Sequence, residues 1–282
     1  MAATEEDIYR ALGLPFIQPE LREGRGEIER ALKGKLPKLV TDKDHCHTDA
    51  SDGTETLETM AKATRERGFQ YFGVADQSRR AMPAGSRSNR SRRSTARPTG
   101  SKKFGKDFRI LKGIESDILA DGSLDYPDDV LATFDFVVAS IHGRFKMDRK
   151  AQTERLLRAV VNRYTTIIGH MTGRQLQRRP GYEIDVEKVL RACAKHDVVV
   201  EINAHPWRLD LDWRWNQAAL DFGCMMSINP DAHSIRELDH MHWGVEMARK
   251  GGVPPDRVLN AMPVGEIERY LRQKRRSSAR AA

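Results

Sequence analysis

The sequence predicts an α/β fold, a distorted seven-stranded β/α barrel, and three observations carry that expectation. From Leu39 onward, short apolar runs rich in β-branched and aromatic residues alternate with helical stretches, the pattern of βαβ units and a parallel sheet. Seven such runs are present, one short of the regular eight-stranded barrel. Nearly every run ends in a histidine, carboxylate or amide, and α/β barrels build their active sites from the carboxyl ends of their strands.

Residues 1–38 read as a lead-in, with short helices at 7–12 and 27–36 around Leu14-Pro15-Phe16-Ile17-Gln18-Pro19. That segment is too small to form a core of its own. The first strand ends in His45-Cys46-His47, followed by Ser51-Asp52-Gly53. Alternate side chains of an extended segment share a face, so His45 and His47 can hold one metal ion while Cys46 packs on the other side. A helix over 56–67 leads to the run 71–75, which ends in Asp76-Gln77. The run 108–111 continues through Gly113-Ile114 to Glu115, and 136–141 ends in His142. After a helix over 153–162, the run 165–169 gives His170; after a helix over 186–196, the run 198–202 gives Asn203 and His205. A helix over 214–222 precedes the run 225–229, which gives Asp231 and His233, and a last helix spans 235–250.

A single histidine after an apolar run is more often a hydrogen-bonded core or surface residue than a ligand. The repetition at successive strand ends is what argues for one polynuclear metal site. His196, His240 and His242 lie in or beside helical stretches and read as surface or packing residues.

Composition narrows the class. There is no run of about 18 apolar residues, so no membrane span is predicted. The acidic start, Thr4-Glu5-Glu6-Asp7, lacks the apolar region of a secretory signal. Three cysteines without CxxC spacing make neither a disulfide framework nor a zinc ribbon. A soluble, cytoplasmic protein is expected. The net charge is +8, yet residues 79–106 alone hold ten Lys or Arg and no acid. The basicity therefore belongs to that segment and to a basic tail, 267–282, rather than to the folded bulk.

Residues 79–103 stand where a helix should connect the second and third strands. With two prolines and no apolar periodicity, they are expected to be disordered. Permissible codons let a neighbouring frame read as a capped amphipathic helix, so a compensated frameshift is one expectation. A basic insertion that touches nucleic acid is the other.

Together, His45-x-His47-Thr48…Ser51-Asp52-Gly53, Gly113-Ile114-Glu115-x-Asp117, Ala139-Ser140-Ile141-His142, Gly169-His170-x-Thr172-Gly173-Arg174, Glu201-Ile202-Asn203 and Asn229-x-Asp231-Ala232-His233 resemble the PHP (polymerase and histidinol phosphatase) domain. The resemblance is closest to the version at the C-terminus of bacterial family X DNA polymerases. It runs from about Thr4 to Glu266, with the metal-dependent domain at 39–266, and suggests a detached or truncated module. It implies a barrel holding two or three divalent ions, manganese or zinc, and phosphoester hydrolysis of the 3′–5′ exonuclease kind on DNA. His45, His47, Glu115 and Asp231 would hold one ion; Glu115, His142 and His170 a second; Asp52, position 77 and His233 a third. The family has histidine where this chain has Gln77, and an amide oxygen is the poorer ligand for a transition metal. That departure puts the third ion in doubt.

For mechanism, two ions would acidify a bridging water and clamp the phosphate. Glu115 and Asp231 are the expected catalytic carboxylates. Arg174 is the favoured phosphate contact, with Arg144, Arg178, Arg208, Asn203 and His205 as further substrate contacts. The rival expectations are a small-molecule phosphatase of the histidinol phosphate type and a degenerate, non-catalytic module. A separate polymerase module is a possible partner.

Overall fold

The computed structural model describes residues 4–41, 47–50, 55–77 and 107–280, with backbone alone at 47–50, 77 and 276–280. The side chains of His45, His47, Asp52 and Gln77, the segment 79–103 and the frameshift reading tied to it therefore lie outside the described residues.

The chain opens with α1 (Glu5–Ala11) and α2 (Glu27–Leu32), then alternates strands and helices. These are β1 (His47–Ala50), α3 (Leu57–Glu66), β2 (Tyr71–Gln77), β3 (Arg109–Asp117), the short α4 (Asp128–Leu131), β4 (Phe136–Ser140) and α5 (Arg149–Val161). There follow β5 (Ile167–Ile168), α6 (Val186–Lys195), β6 (Val199–Asn203), α7 (Trp213–Phe222), β7 (Met226–Asn229), α8 (Met241–Lys250) and α9 (Val264–Arg280). Oxygen-bearing side chains start the main helices. Thr4, Thr56, Asp148, Asp185 and Asp212 each accept a backbone amide of the first turn, which satisfies donors that have no partner inside the helix.

All neighbouring strands pair in parallel and in chain order, β1 to β7. Strands β2–β7 form a half-barrel, β1 joins at the β2 edge, and β1 also lies against β7. Alternation along the strands sorts the side chains. Ile114, Val137, Ala139, Ile168, Val200, Ile202 and Ile228 belong to the buried layer shared with the outer helices. Tyr71, Leu111, Phe136, Val138, Ile167 and Val199 fill the other face, where Leu259, Ile267 and Leu271 close the floor. In β3 the inward series Leu111, Gly113, Glu115 carries a carboxylate to the top of that apolar stack. A Cβ on Gly113 would stand 2.2 Å from the ring of Phe136, so only glycine lets that ring into the interior.

Three sequence expectations change. The expected boundary at 266 falls inside α9, whose Ile267 and Leu271 are buried, so the stretch 267–282 begins as packed helix rather than as a tail. The helix expected at 235–250 is divided into a 3₁₀ segment, Ile235–His240, and α8. Finally, β1 runs on past His47 to Ala50 rather than ending there, and pairs His47 with Tyr71, six positions before the Gln77 that pairs with Glu115. On that register the backbone of His47 stands level with the floor and not with Glu115.

Candidate metal centre

Three strands deliver three donors to one point. Glu115 near the end of β3, His142 just past β4 and His170 just past β5 each offer a ligand atom, and these atoms all lie within 4.8 Å of one another. His142 Nε2 is 3.3 Å and His170 Nε2 3.1 Å from the same oxygen, Glu115 Oε1. Glu115 and His170 are buried and His142 is half-buried. Neither ring nitrogen of His142, nor Nδ1 of His170, makes a hydrogen bond among the described residues. Buried ring nitrogens held beside carboxylates without a hydrogen bond call for an explanation, and two imidazoles converging on one carboxylate fit a divalent transition metal.

The surroundings hold this group in place. The backbone amide of His142 donates to Asp117 Oδ1 at 3.1 Å, and Nδ1 of the same ring is 3.5 Å from that oxygen. Such a carboxylate behind a metal-binding histidine orients the ring and raises its basicity. Gly169 precedes His170 because a Cβ there would meet Ser140 Oγ at 2.3 Å and Val138 Cγ1 at 2.8 Å. His170 and Asp231 have positive φ, 25° and 52°. This is uncommon for non-glycine residues and concentrated at functional sites.

Beneath them lies a buried polar network. Glu201 accepts from the His170 amide at 2.5 Å and from Asn229 Nδ2 at 2.9 Å. Asn203 Nδ2 lies 3.4 Å from Glu201 Oε2 and 3.1 Å from Asp231 Oδ2, and Arg208 Nε is 3.2 Å from that Asp231 oxygen. Burial sets the electrostatics. Desolvation, with Asp231 nearby, pushes Glu201 up to about 8. Burial would also raise Glu115, but His142 and His170 hold it well below the usual carboxylate range. Burial opposes charge on His142, yet Glu115 and Asp117 outweigh it and push the imidazole up to about 10. His170 moves down, through burial and through Arg208.

The other expected residues divide. Asp231, Asn203 and Arg208 join the site. His205 lies on the rim, where its amide donates to Asn203 Oδ1 at 3.1 Å. His240, read from sequence as a packing residue, sets its ring 4.9 Å from that of His205. His233 is exposed and turned onto its own loop, with Nδ1 2.9 Å from the Asp231 carbonyl, so the structure does not bring it to the cluster. Arg174, favoured as the phosphate contact, is a correction. Its Nε donates to the Arg208 carbonyl at 2.9 Å, and its other nitrogens bond the Leu209 carbonyl and Asp212. With those donors engaged it fastens a loop. Arg144 and Arg178 are exposed, and the Arg178 guanidinium lies over the Trp207 ring at 4.1 Å.

Sequence reasoning missed three residues as working parts of the site: Asp117, Glu201 and Asp210. Asp210 is fully buried and accepts from Thr172 N, Thr172 Oγ1 and Gly173 N at 3.0, 2.8 and 2.9 Å. A carboxylate inside the apolar run 198–202 was the available signal for Glu201; nothing local marks Asp210.

Fold and site together define a parallel β/α half-barrel with a buried carboxylate–imidazole cluster at the carboxyl ends of its strands. Residues 44–205 match the PHP domain model. The chain belongs to the PHP domain family. It is 38% identical over 282 residues to the DNA polymerase/3′-5′ exonuclease PolX of Bacillus subtilis, across 96% of this chain and 48% of that protein, so it spans about half the length of that relative. A probable phosphatase of Thermoanaerobacter sp. is 30% identical over 59% of this chain and 69% of its own. The structure of histidinol phosphate phosphatase from Lactococcus lactis, complexed with zinc, L-histidinol and phosphate, superposes with a TM-score of 0.56 at 18% identity. That match covers 73% of this chain and 93% of the other, and shows a common fold.

Proposed function

We propose that this chain is a metal-dependent phosphoester hydrolase acting on the terminal phosphodiester of DNA, as a 3′–5′ exonuclease does. The observation that carries it is the buried triad Glu115, His142 and His170, whose imidazole nitrogens converge on one carboxylate oxygen. A divalent ion held there, manganese or zinc, would supply Lewis acidity to the phosphate and to a water. The remaining work falls to the chain. Asp117 fixes the His142 ring, Glu201 fixes the backbone of His170, and Asn203 donates to Asp231 beside them. Arg208, beside Asp231, is the guanidinium placed to meet a phosphate oxygen. The resemblance adds His45 and His47 to Asp231 for a second ion, and Asp52 and His233 for a third. Of these residues, Asp231 is the one joined, through Asn203, to the Glu201 network beside the cluster among the described residues. The same reading closes the sheet into a distorted seven-stranded barrel. It gives the chain a cytoplasmic setting and a polymerase module, on this polypeptide or another, as its partner. No helix among the described residues is long and apolar enough to cross a membrane.

DNA is preferred over a small phosphate ester because the similarity to PolX extends over 96% of this chain, lead-in included. The relatives named as probable phosphatases favour the second reading, hydrolysis of a phosphomonoester. Incubation with manganese and either end-labelled single-stranded DNA or a phosphomonoester decides between them. Release of nucleotides from the 3′ end is expected. Free phosphate from the monoester with intact DNA would establish the second reading, and inertness toward both would sink the hydrolase.

A further inference from the structure

We infer that Trp207, with Arg178 behind it, is a stacking platform for the base of the terminal nucleotide of single-stranded DNA; this rests on the DNA reading above and deepens it. Trp207 is 42% exposed, one of two exposed tryptophans among the described residues. Its ring carries the Arg178 guanidinium at 4.1 Å, the cation–π arrangement that leaves an aromatic face for a third planar group. Its chain neighbour, Arg208, reaches Asp231 at 3.2 Å. The platform is therefore one residue from the side chain that faces the reacting phosphate.

Its position is fixed rather than loose. The loop 204–210 folds back on β6, with the Asn203 amide bonded to the Asp210 carbonyl and the Leu211 amide to the Glu201 carbonyl. Leu176 N donates to the Trp207 carbonyl, and Trp207 N to His205 Nδ1 at 3.2 Å. Asp210 and Arg174 fasten this loop to the one that follows β5. On the neighbouring rim the motif repeats, with Arg179 over Phe145 at 4.0 Å and Phe145 stacked near Tyr182. Arginines interleaved with aromatic rings suit single strands, whose bases all present a π-face. A small phosphate ester without a ring has no use for such a surface.

The test measures binding in EDTA, so that no cleavage intervenes, by fluorescence anisotropy. The probes are a labelled single-stranded oligothymidylate and the same oligonucleotide lacking its 3′-terminal base. Stacking by one base predicts roughly 5- to 150-fold tighter binding of the intact strand. Trp207→Ala should bring the two probes to equal affinity, and Trp207→Phe should restore part of the difference. Equal affinity of the two probes for the unmodified protein, which needs no variant, would overturn the inference. So would a preference that survives in Trp207→Ala. Cleavage with manganese is scored separately: its absence sinks the hydrolase reading, while the base preference still judges the platform.

Discussion

Asp210 offers a test of what holds the two rim loops together. Its carboxyl is fully buried and takes three donors from Thr172 and Gly173, two of them backbone amides. Asp210→Ala removes the acceptor and leaves the amides stranded, at about 1–3 kcal/mol for each buried donor without a partner. The threonine hydroxyl can rotate to another acceptor, so the count rests on the two amides, roughly 2–6 kcal/mol. Part of that is offset, because burial has already raised the Asp210 carboxyl against its hydrogen bonds, and removing an ionisable buried group recovers its desolvation cost. A net loss of about 3 kcal/mol is expected, a large share of a typical folding free energy. Asp210→Asn behaves differently. Both amides converge on Oδ2, which an Asn carbonyl can replace, so its cost should stay near 1 kcal/mol or below. Urea denaturation of the three proteins, compared by midpoint at equal slope, measures both values. If Asn is as damaging as Ala, the charge and not the acceptor geometry holds the loops, and the reasoning is wrong.

Two further outcomes follow from the cluster. Glu201 is pushed up to about 8, so its folded pKa lies above the unfolded carboxylate value near 4.3. A raised pKa means its stabilising contribution is fully present below the unfolded value and is lost as pH rises through about 8. Thermal melts of the metal-free protein should lose stability between about pH 4 and 8, and Glu201→Gln should flatten that slope; an unchanged slope would contradict the assignment. Asp117→Ala should weaken manganese binding about 10- to 100-fold in calorimetric titration, the usual effect of removing the carboxylate behind a metal-binding histidine, and undiminished affinity would show that Asp117 does not orient His142.

Much of the site was legible because its signal is local. Glu115, His142 and His170 each follow an apolar run, and a strand's period of two carries the last inward position to the mouth of the barrel. Gly113 and Gly169 stood beside two of them for the same reason, that a ring or hydroxyl from β4 needs the space. What the sequence did not reveal depends on register or on contacts between distant loops. His45-x-His47 shows that two side chains share a face but not the level at which β1 meets β2, and β2 decides that. Helix α9 was readable in part: Val264, Ile267 and Leu271 repeat at helical spacing, but the surrounding arginines drew the reading toward a solvated tail. The floor of the barrel needed those two buried residues, and no local rule announces that need.

Arginine shows where residue type stops being informative. Arg174, Arg178 and Arg208 all follow strand ends, and the sequence favoured Arg174 among them for holding phosphate. What separates them is the use their donors already have. Arg174 has all three nitrogens bonded to two carbonyls and Asp212, and a guanidinium so engaged has little left for a ligand. Arg178 spends its face on Trp207, and Arg208 alone among them touches Asp231, which Asn203 joins to the Glu201 network beside the cluster. Phosphate binding should therefore follow Arg208, loop stability Arg174 and base preference Arg178. Three variants of one residue type would then fail in three different assays, and only contacts made across the loops after β5 and β6 assign them.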